Sequence, residues 1–200
     1  TSDLIYGIKN SGHEVVVLKE QDDGFEGIPI LKRRLGIFYS AFRIKKFIKD
    51  CDIIHALDSY PYGPIGAIAN VGINKKFIIT GVGSYAVAPL YNYPAALLLK
   101  WAYKKADKVL AISNYTKQEI LKKIDLDITV VKPGIKSPFL VSSSAYSREN
   151  ILLGVGALKF RKGYHISIPA FVLAKKKIPD LKYKIVGSQQ DKNYFNYLKR

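Results

Sequence analysis

Apolar positions in this chain fall into two kinds of run. Short clusters that end on glycine or a small polar residue have the pattern of strands, and longer stretches with apolar residues three or four apart have the pattern of helices. In order, Ser2 to Asn10 predicts a helix with Leu4, Ile5 and Ile8 on one side, and Gly12 stops it. A strand is expected over Glu14 to Leu18, with His13 as a structural residue at the corner. Gln21 to Ile30 reads as a loop, and Pro29 lies in a short extended piece, Ile28 to Leu31. A helix follows, with Ile37, Phe38, Ala41, Ile44, Phe47 and Ile48 at helical spacing and Arg43, Lys45, Lys46 and Lys49 among them, after Lys32, Arg33 and Arg34. That helix is basic and amphipathic: either it packs on a sheet with a solvated side, or its cations meet an anionic membrane surface.

Asp52 to Ala56 reads as a short buried strand with His55 at its C-terminal end, where ligands of open parallel sheets collect. Tyr60, Pro61, Tyr62, Gly63 and Pro64 form a rigid aromatic loop before a helix over Ile65 to Val71. Lys76 to Thr80 is the next strand, ending in the small-residue loop Gly81, Val82, Gly83, Ser84, Tyr85. Beyond an aromatic loop, Pro89 to Pro94, a helix spans Ala95 to Lys105, with Leu97, Leu98, Trp101 and Ala102 facing the core; a stacking role is the other reading of Trp101. Ala106 to Ser113 reads as a strand, and Ser113 is placed to cap a helix over Tyr115 to Lys123. Ile128 to Val131 closes this half. Lys136 to Asn150 lacks periodicity and reads as a linker.

The last quarter begins with Ile151, Leu152 and Leu153, an apolar run with the pattern of a buried parallel strand, which breaks at Gly154 and Gly156. Lys159, Arg161 and Lys162 follow, then Gly163 and a helical segment from Tyr164 to Lys177. After Ile178, Pro179 and Asp180 comes a strand, Leu181 to Val186, and Gly187. The order strand, glycine turn, cations, helix, strand, glycine is a βαβ unit. Free helix N–H groups and side-chain cations converging on one strand end make a site for an anion such as phosphate. The same lysines also fit a solvated loop in a basic chain.

Composition narrows this. The chain of 200 residues has 48% hydrophobic residues, which suits a globular α/β protein, and 32 basic against 16 acidic residues give a net charge of +16. That charge attracts phosphate in some form: nucleotide, nucleic acid or anionic lipid. The single cysteine, Cys51, excludes an internal disulfide and reads as a small buried hydrophobe. No apolar run approaches the roughly 18–20 residues of a membrane span. The chain starts at Thr1 and has no methionine, so it is read as lacking its natural start, and no secretory leader is visible. His13, His55 and His165 lie far apart in sequence, and no metal-ligand spacing such as HxxxH or CxxC is present.

The pieces together resemble family 4 glycosyltransferases, two-domain enzymes with facing Rossmann-like halves. The resemblance rests on Val155-Gly156, Lys162-Gly163, Ala170-Phe171 and Val186-Gly187 in the second half. In the first half it rests on the Asp-x-x-His-Ala string ending at Ala56, the string Ala106 to Ser113, and the Pro133-Gly134-Ile135 turn. It implies an α/β fold: a Rossmann-like parallel-sheet domain over 1–136, a linker over 137–150, and over 151–200 the opening βαβ unit of a second Rossmann-like domain. It further implies transfer of a sugar from a nucleotide-sugar donor to a glycan or lipid-linked acceptor hydroxyl, with anomeric configuration retained and neither metal nor cofactor.

By the same resemblance, Lys162 and Arg161, with backbone near Gly156 and Gly163, would hold the donor diphosphate. His55, Asp58, Gly83, Ser84, Tyr85, Ser113 and Asn114 would line the acceptor side of a crevice. His55 and Asp58 are equally open to structural hydrogen bonding, and His55 is the one candidate for catalysis. Relatives commonly carry histidine where Val82 stands and arginine where Ala157 stands, which leaves the general base unassigned and gives Arg161 a compensating role. The paired glutamates of the family would fall beyond Arg200, so the 200 residues alone are expected to bind donor weakly. A cytoplasmic location, peripheral to the membrane's inner face, is the matching expectation. Two other readings stand beside it: a basic module for nucleic acid or membrane, of which the dispersed aromatics disfavour nucleic acid, and a nucleotide-sugar epimerase of the same architecture.

Overall fold

The computed structural model describes residues 2–31, 36–134, 149–189 and 191–199. It falls into two compact units, Thr1–Leu140 and Val141–Arg200. The expected linker, 137–150, lies outside the described residues except for its last two, as do Lys32, Arg33 and Arg34.

The first unit is built on four parallel strands in the order β3 (Ile53–Leu57), β4 (Lys76–Gly81), β5 (Lys108–Ala111) and β6 (Ile128–Val130). Parallel neighbours cannot be joined by a tight hairpin, so helices return the chain between them: α3 (Tyr62–Ala69), α5 (Ala95–Lys105) and α6 (Asn114–Leu121). Side chains alternate along each strand. Ile54, Ala56, Phe77, Ile79, Val109, Ala111 and Ile128 are buried on one rhythm and their neighbours are less so. Helix α3 comes close because it is small on the facing side: a Cβ at Gly66 would lie 2.7 Å from the Phe77 ring, and one at Gly63 would lie 3.2 Å from Ile79. Phe77 and Ile79 are fully buried as a result, each contributing about 1.5–3 kcal/mol by leaving water.

Polar side chains close the corners. Asn70 both accepts from the Lys75 amide (2.8 Å) and donates to its carbonyl (2.7 Å), which turns the chain from α3 into β4. Asp107 accepts from the Phe77 amide (2.9 Å) and from Lys76 Nζ (2.9 Å), tying the starts of β4 and β5. The Lys76 ammonium and then the amide hold the Asp107 carboxyl below the ordinary carboxylate range.

Helix α1 (Ser2–Asn10) forms as expected, but the strand after it is only β1 (Leu18–Lys19), paired in parallel with β2 (Ile28–Pro29). Glu14 to Val16 carry no strand pairing among the described residues, so the predicted strand shrinks to its end. Helix α2 (Gly36–Ile48) buries Ser40, Ala41, Ile44 and Ile48, while Phe38 is 67% and Phe42 78% exposed. Phe38, expected on the inner stripe, is instead on the outer side. In α5 the register is likewise shifted from expectation. Leu99, Ala102 and Tyr103 are the buried positions, Trp101 packs partly against the core, and Leu97 is 58% exposed. Cys51 is only partly buried, its thiol directed at the Phe47 carbonyl.

The second unit pairs β7 (Ile151–Val155) in parallel with β8 (Lys182–Val186), in the register Ile151 to Lys182 through Val155 to Val186. Helix α7 (Tyr164–Lys175) connects them and α8 (Lys192–Leu198), which the sequence reading does not include, follows. Its small core is Leu158, Tyr164 and Tyr194. The expectation that β7 is buried on both faces is corrected: Leu153 and Val155 are 63% and 72% exposed, because two strands with α7 and α8 do not cover both sides of β7.

Tyr103 tests the packing of the first unit. It is 1% exposed, its hydroxyl lies 2.8 Å from Ser59 Oγ and donates to the Ala86 carbonyl at 3.1 Å, and burial pushes its phenol well above the ordinary range, so it stays neutral. Tyr103→Phe would leave the buried Ser59 hydroxyl and Ala86 carbonyl short of a partner. We expect a loss of about 1–3 kcal/mol, measured by urea unfolding followed through the fluorescence of the single tryptophan, Trp101.

Candidate functional site

Because β3 to β6 all run the same way, the loops that leave them gather at one end of the sheet. Asp58 follows β3 directly with φ at 104°, a left-handed backbone that costs a non-glycine residue of order 1–3 kcal/mol. Its Oδ1 accepts from the Ser59 amide at 2.8 Å, and its own amide donates to the Thr80 carbonyl at 3.1 Å. Thr80 also receives His55: Nε2 lies 2.7 Å from Thr80 Oγ1. His55 is the middle residue of β3 rather than its end. Burial lowers its pKa from the ordinary imidazole value, so it is neutral near pH 7.

After β4, Gly83 turns with φ at 55°, and Ser84 and Tyr85 open the short helix α4 (Ser84–Val87) instead of remaining in a loop. A single 3-10 turn, Ala88–Tyr91, extends it. Gly81 is closely packed, since a Cβ there would press on Ala86 at 3.1 Å and Ser59 Oγ at 3.3 Å. After β5, Ser113 caps α6 as expected, its Oγ accepting from the Thr116 amide at 3.1 Å. Asn114 is the exposed first residue of that helix. A cavity of about 480 Å³ lies in this unit too, with Ile37, Phe38, Tyr60, Tyr62 and Tyr85 in its wall and the Tyr62 hydroxyl donating to Glu20 at 2.8 Å.

In the second unit the four diphosphate candidates sit in one turn. Gly156 has φ at 152° and Gly163 at 72°, values that glycine adopts readily and other residues rarely. Lys162 folds back over the first of these: a Cβ placed on Gly156 would lie 3.5 Å from Lys162 Cε and 3.7 Å from its Nζ. The ammonium therefore stands at the C-terminal end of β7. Arg161 shares the 3-10 turn Phe160–Lys162 and is exposed. Gly187 explains the second Val-Gly pair. Its α-carbon abuts the Gly156 backbone so closely that a Cβ would be 1.9 Å from the Gly156 carbonyl oxygen.

The helix end is less open than the sequence implies. At the start of α7, Ile166 and Ser167 donate to the Gly163 carbonyl (2.9 and 3.0 Å), and the His165 amide donates to the Tyr194 hydroxyl at 3.1 Å. Among the described residues no acceptor is found for the Tyr164 amide, and that N–H, the Lys162 ammonium and the exposed Arg161 guanidinium are among the groups the turn offers an anion. The Tyr164 hydroxyl donates back to the Gly156 carbonyl at 2.9 Å and pins the two ends of the turn together. Tyr194 was missed because the only local signal for α8, Asp191 capping the Tyr194 amide at 3.0 Å, lies at the far end of the chain without a clear apolar period. Among the described residues no three His, Cys, Asp or Glu side chains come together as a metal cluster would need. No helix among them is long and apolar enough to cross a membrane.

Comparison with known proteins agrees with this architecture. Over 165 residues the chain is 28% identical to uncharacterized glycosyltransferase MJ1178 of Methanocaldococcus jannaschii, covering 80% of this chain and 45% of that protein. Two crystal structures of Anabaena HepE share its fold at 15% identity. The complex with UDP and glucose has a TM-score of 0.66 over 80% of this chain and 46% of that one. The complex with UDP-glucose has a TM-score of 0.68 over 98% of this chain and 54% of that one. The chain thus spans about half the length of the relatives it matches. The model of Glycosyltransferase Family 4 matches residues 1–137, and the chain belongs to that family.

Proposed function

We propose that this chain carries the acceptor half and the donor-phosphate turn of a retaining glycosyltransferase that moves a sugar from a nucleotide-sugar to an acceptor hydroxyl. The observation that carries the reading is the Lys162 ammonium folded over Gly156 at the end of β7, in the turn that leads into α7. A diphosphate leaving group gathers negative charge as the bond to the sugar breaks, and a fixed cation and amide aimed at it lower that barrier. Arg161 adds a second cation in the same turn, so side-chain charge and backbone do the neutralising and no metal is called for. That Anabaena HepE was crystallised with UDP and with UDP-glucose supports a nucleotide-sugar as the donor.

In the first unit, the proposed acceptor side is the set of strand-end residues Asp58, Gly83, Ser84, Tyr85, Ser113 and Asn114. His55 is neutral, which a proton acceptor requires. Its Nε2 is engaged by Thr80, so its part in this proposal is to hold the β4 end in place beside Asp58, and catalysis by it stays secondary.

A second reading concerns where the acceptor is met. Phe38 and Phe42, one turn apart on the outer side of α2, are 67% and 78% exposed, with Arg43, Lys46 and Lys49 on the same helix or just beyond it. Apolar rings among cations suit the interfacial layer of an anionic membrane. This supports peripheral attachment and a lipid-linked acceptor.

Two outcomes follow. Lys162→Ala should weaken binding of UDP and of inorganic pyrophosphate about tenfold or more, the value of a charge-assisted contact, by calorimetry, while Lys177→Ala, which removes the same charge elsewhere, should leave it within twofold. Equal effects of the two would leave only general attraction to charge. Phe42→Ser should lower partitioning onto vesicles containing anionic lipid roughly tenfold in a flotation assay, with little binding of either form to neutral vesicles. Unchanged partitioning would remove the membrane reading.

A further inference from the structure

Tyr194 is 6% exposed, and its hydroxyl makes two contacts with a single residue. It accepts from the His165 amide at 3.1 Å and lies 2.9 Å from His165 Nδ1. The phenol oxygen can accept from the amide and still give its own proton, and where it gives that proton to Nδ1 the neutral imidazole carries its own on Nε2. Held in that way, the His165 ring stacks on Phe160, with centroids 4.3 Å apart and planes 12° from parallel. Tyr194 meets the same phenyl edge-on, at 5.9 Å and 68°. Phe160 is the first residue of the turn that carries Arg161 and Lys162, and its 66% exposure means that little else fixes it.

We infer that Tyr194 is a positioning residue for the phosphate-binding turn. Its hydroxyl sets the tautomer and tilt of His165, the imidazole sets Phe160, and Phe160 sets the direction in which Lys162 reaches back over Gly156. The hydroxyl also occupies the second amide of α7, which removes the His165 N–H from the groups an incoming anion can meet and leaves the Lys162 ammonium, the Arg161 guanidinium and the Tyr164 amide. This inference rests on the reading of Lys162 as a diphosphate ligand, and α8, which follows the βαβ unit, thereby becomes part of the site.

The test uses the full chain at about pH 8, where an ordinary imidazole is neutral. Long-range ¹⁵N spectra of His165 should show one tautomer with Nδ1 unprotonated, and Tyr194→Phe should give a mixture. The same variant should weaken pyrophosphate and UDP about threefold to tenfold, the range of one net hydrogen bond, while the amide spectrum of the second unit away from residues 156–165 and 194 keeps its native dispersion. Phe160→Leu, at an exposed position that does not threaten folding, should weaken both ligands equally while the tautomer stays fixed. If Lys162→Ala leaves pyrophosphate binding intact, the diphosphate reading falls and takes this one with it. If Lys162→Ala weakens binding but Phe160→Leu and Tyr194→Phe do not, or if His165 has Nδ1 protonated in the unaltered chain, the positioning role alone is overturned.

Discussion

The parallel ladder governs this molecule. In both units the described strands pair with their neighbours in the same direction, and between successive strands from β3 to β6, and from β7 to β8, helices carry the chain back. All strand C-termini of one sheet then emerge at one edge, and the residues just beyond them become neighbours although they are dozens of positions apart. Asp58, Gly81 to Tyr85 and Ser113 come together for that reason, and so do Gly156 and Gly187 in the second unit. The gathering of loops at one edge is a consequence of strand direction.

Within the second unit the decisive constraint is closeness. Two chain segments pass at the ends of β7 and β8 with no space for a side chain on Gly187, and the Tyr164 hydroxyl ties the Gly156 carbonyl to the helix that follows. This leaves a short, tight turn in which Lys162 folds back over Gly156. Positive φ at Gly156 and Gly163 makes the turn possible, and the rings of His165 and Tyr194 pack against Phe160, the first residue of its 3-10 part. A mobile loop with the same three cations would attract phosphate only through its charge, whereas a held one presents an ammonium at a defined place.

Much of this was legible beforehand. Strand and helix order, the Ser113 cap and the glycine pairs follow from local chemistry, since capping, apolar period and turn residues act over a few positions. What was not legible depends on partners distant in sequence. Phe38 has the spacing of a buried residue, but its exposure is decided by what α2 packs against. His55 looks like a strand-end residue until the register with β4 extends β3 to Leu57. The His165 amide looks free until Tyr194 arrives 29 residues later in the chain. The β7 strand reads as buried because its composition belongs to a larger sheet than two strands form.

The decisive question is whether one turn, and not the general positive charge of the chain, recognises a diphosphate. Amide chemical-shift mapping of the labelled chain during titration with UDP measures this directly. The largest changes are expected at Gly156, Ala157, Lys162, Gly163 and Tyr164, saturating together at one ligand per chain. Small changes of similar size spread over the lysine-rich helices of both units, with none concentrated between residues 156 and 164, would contradict it.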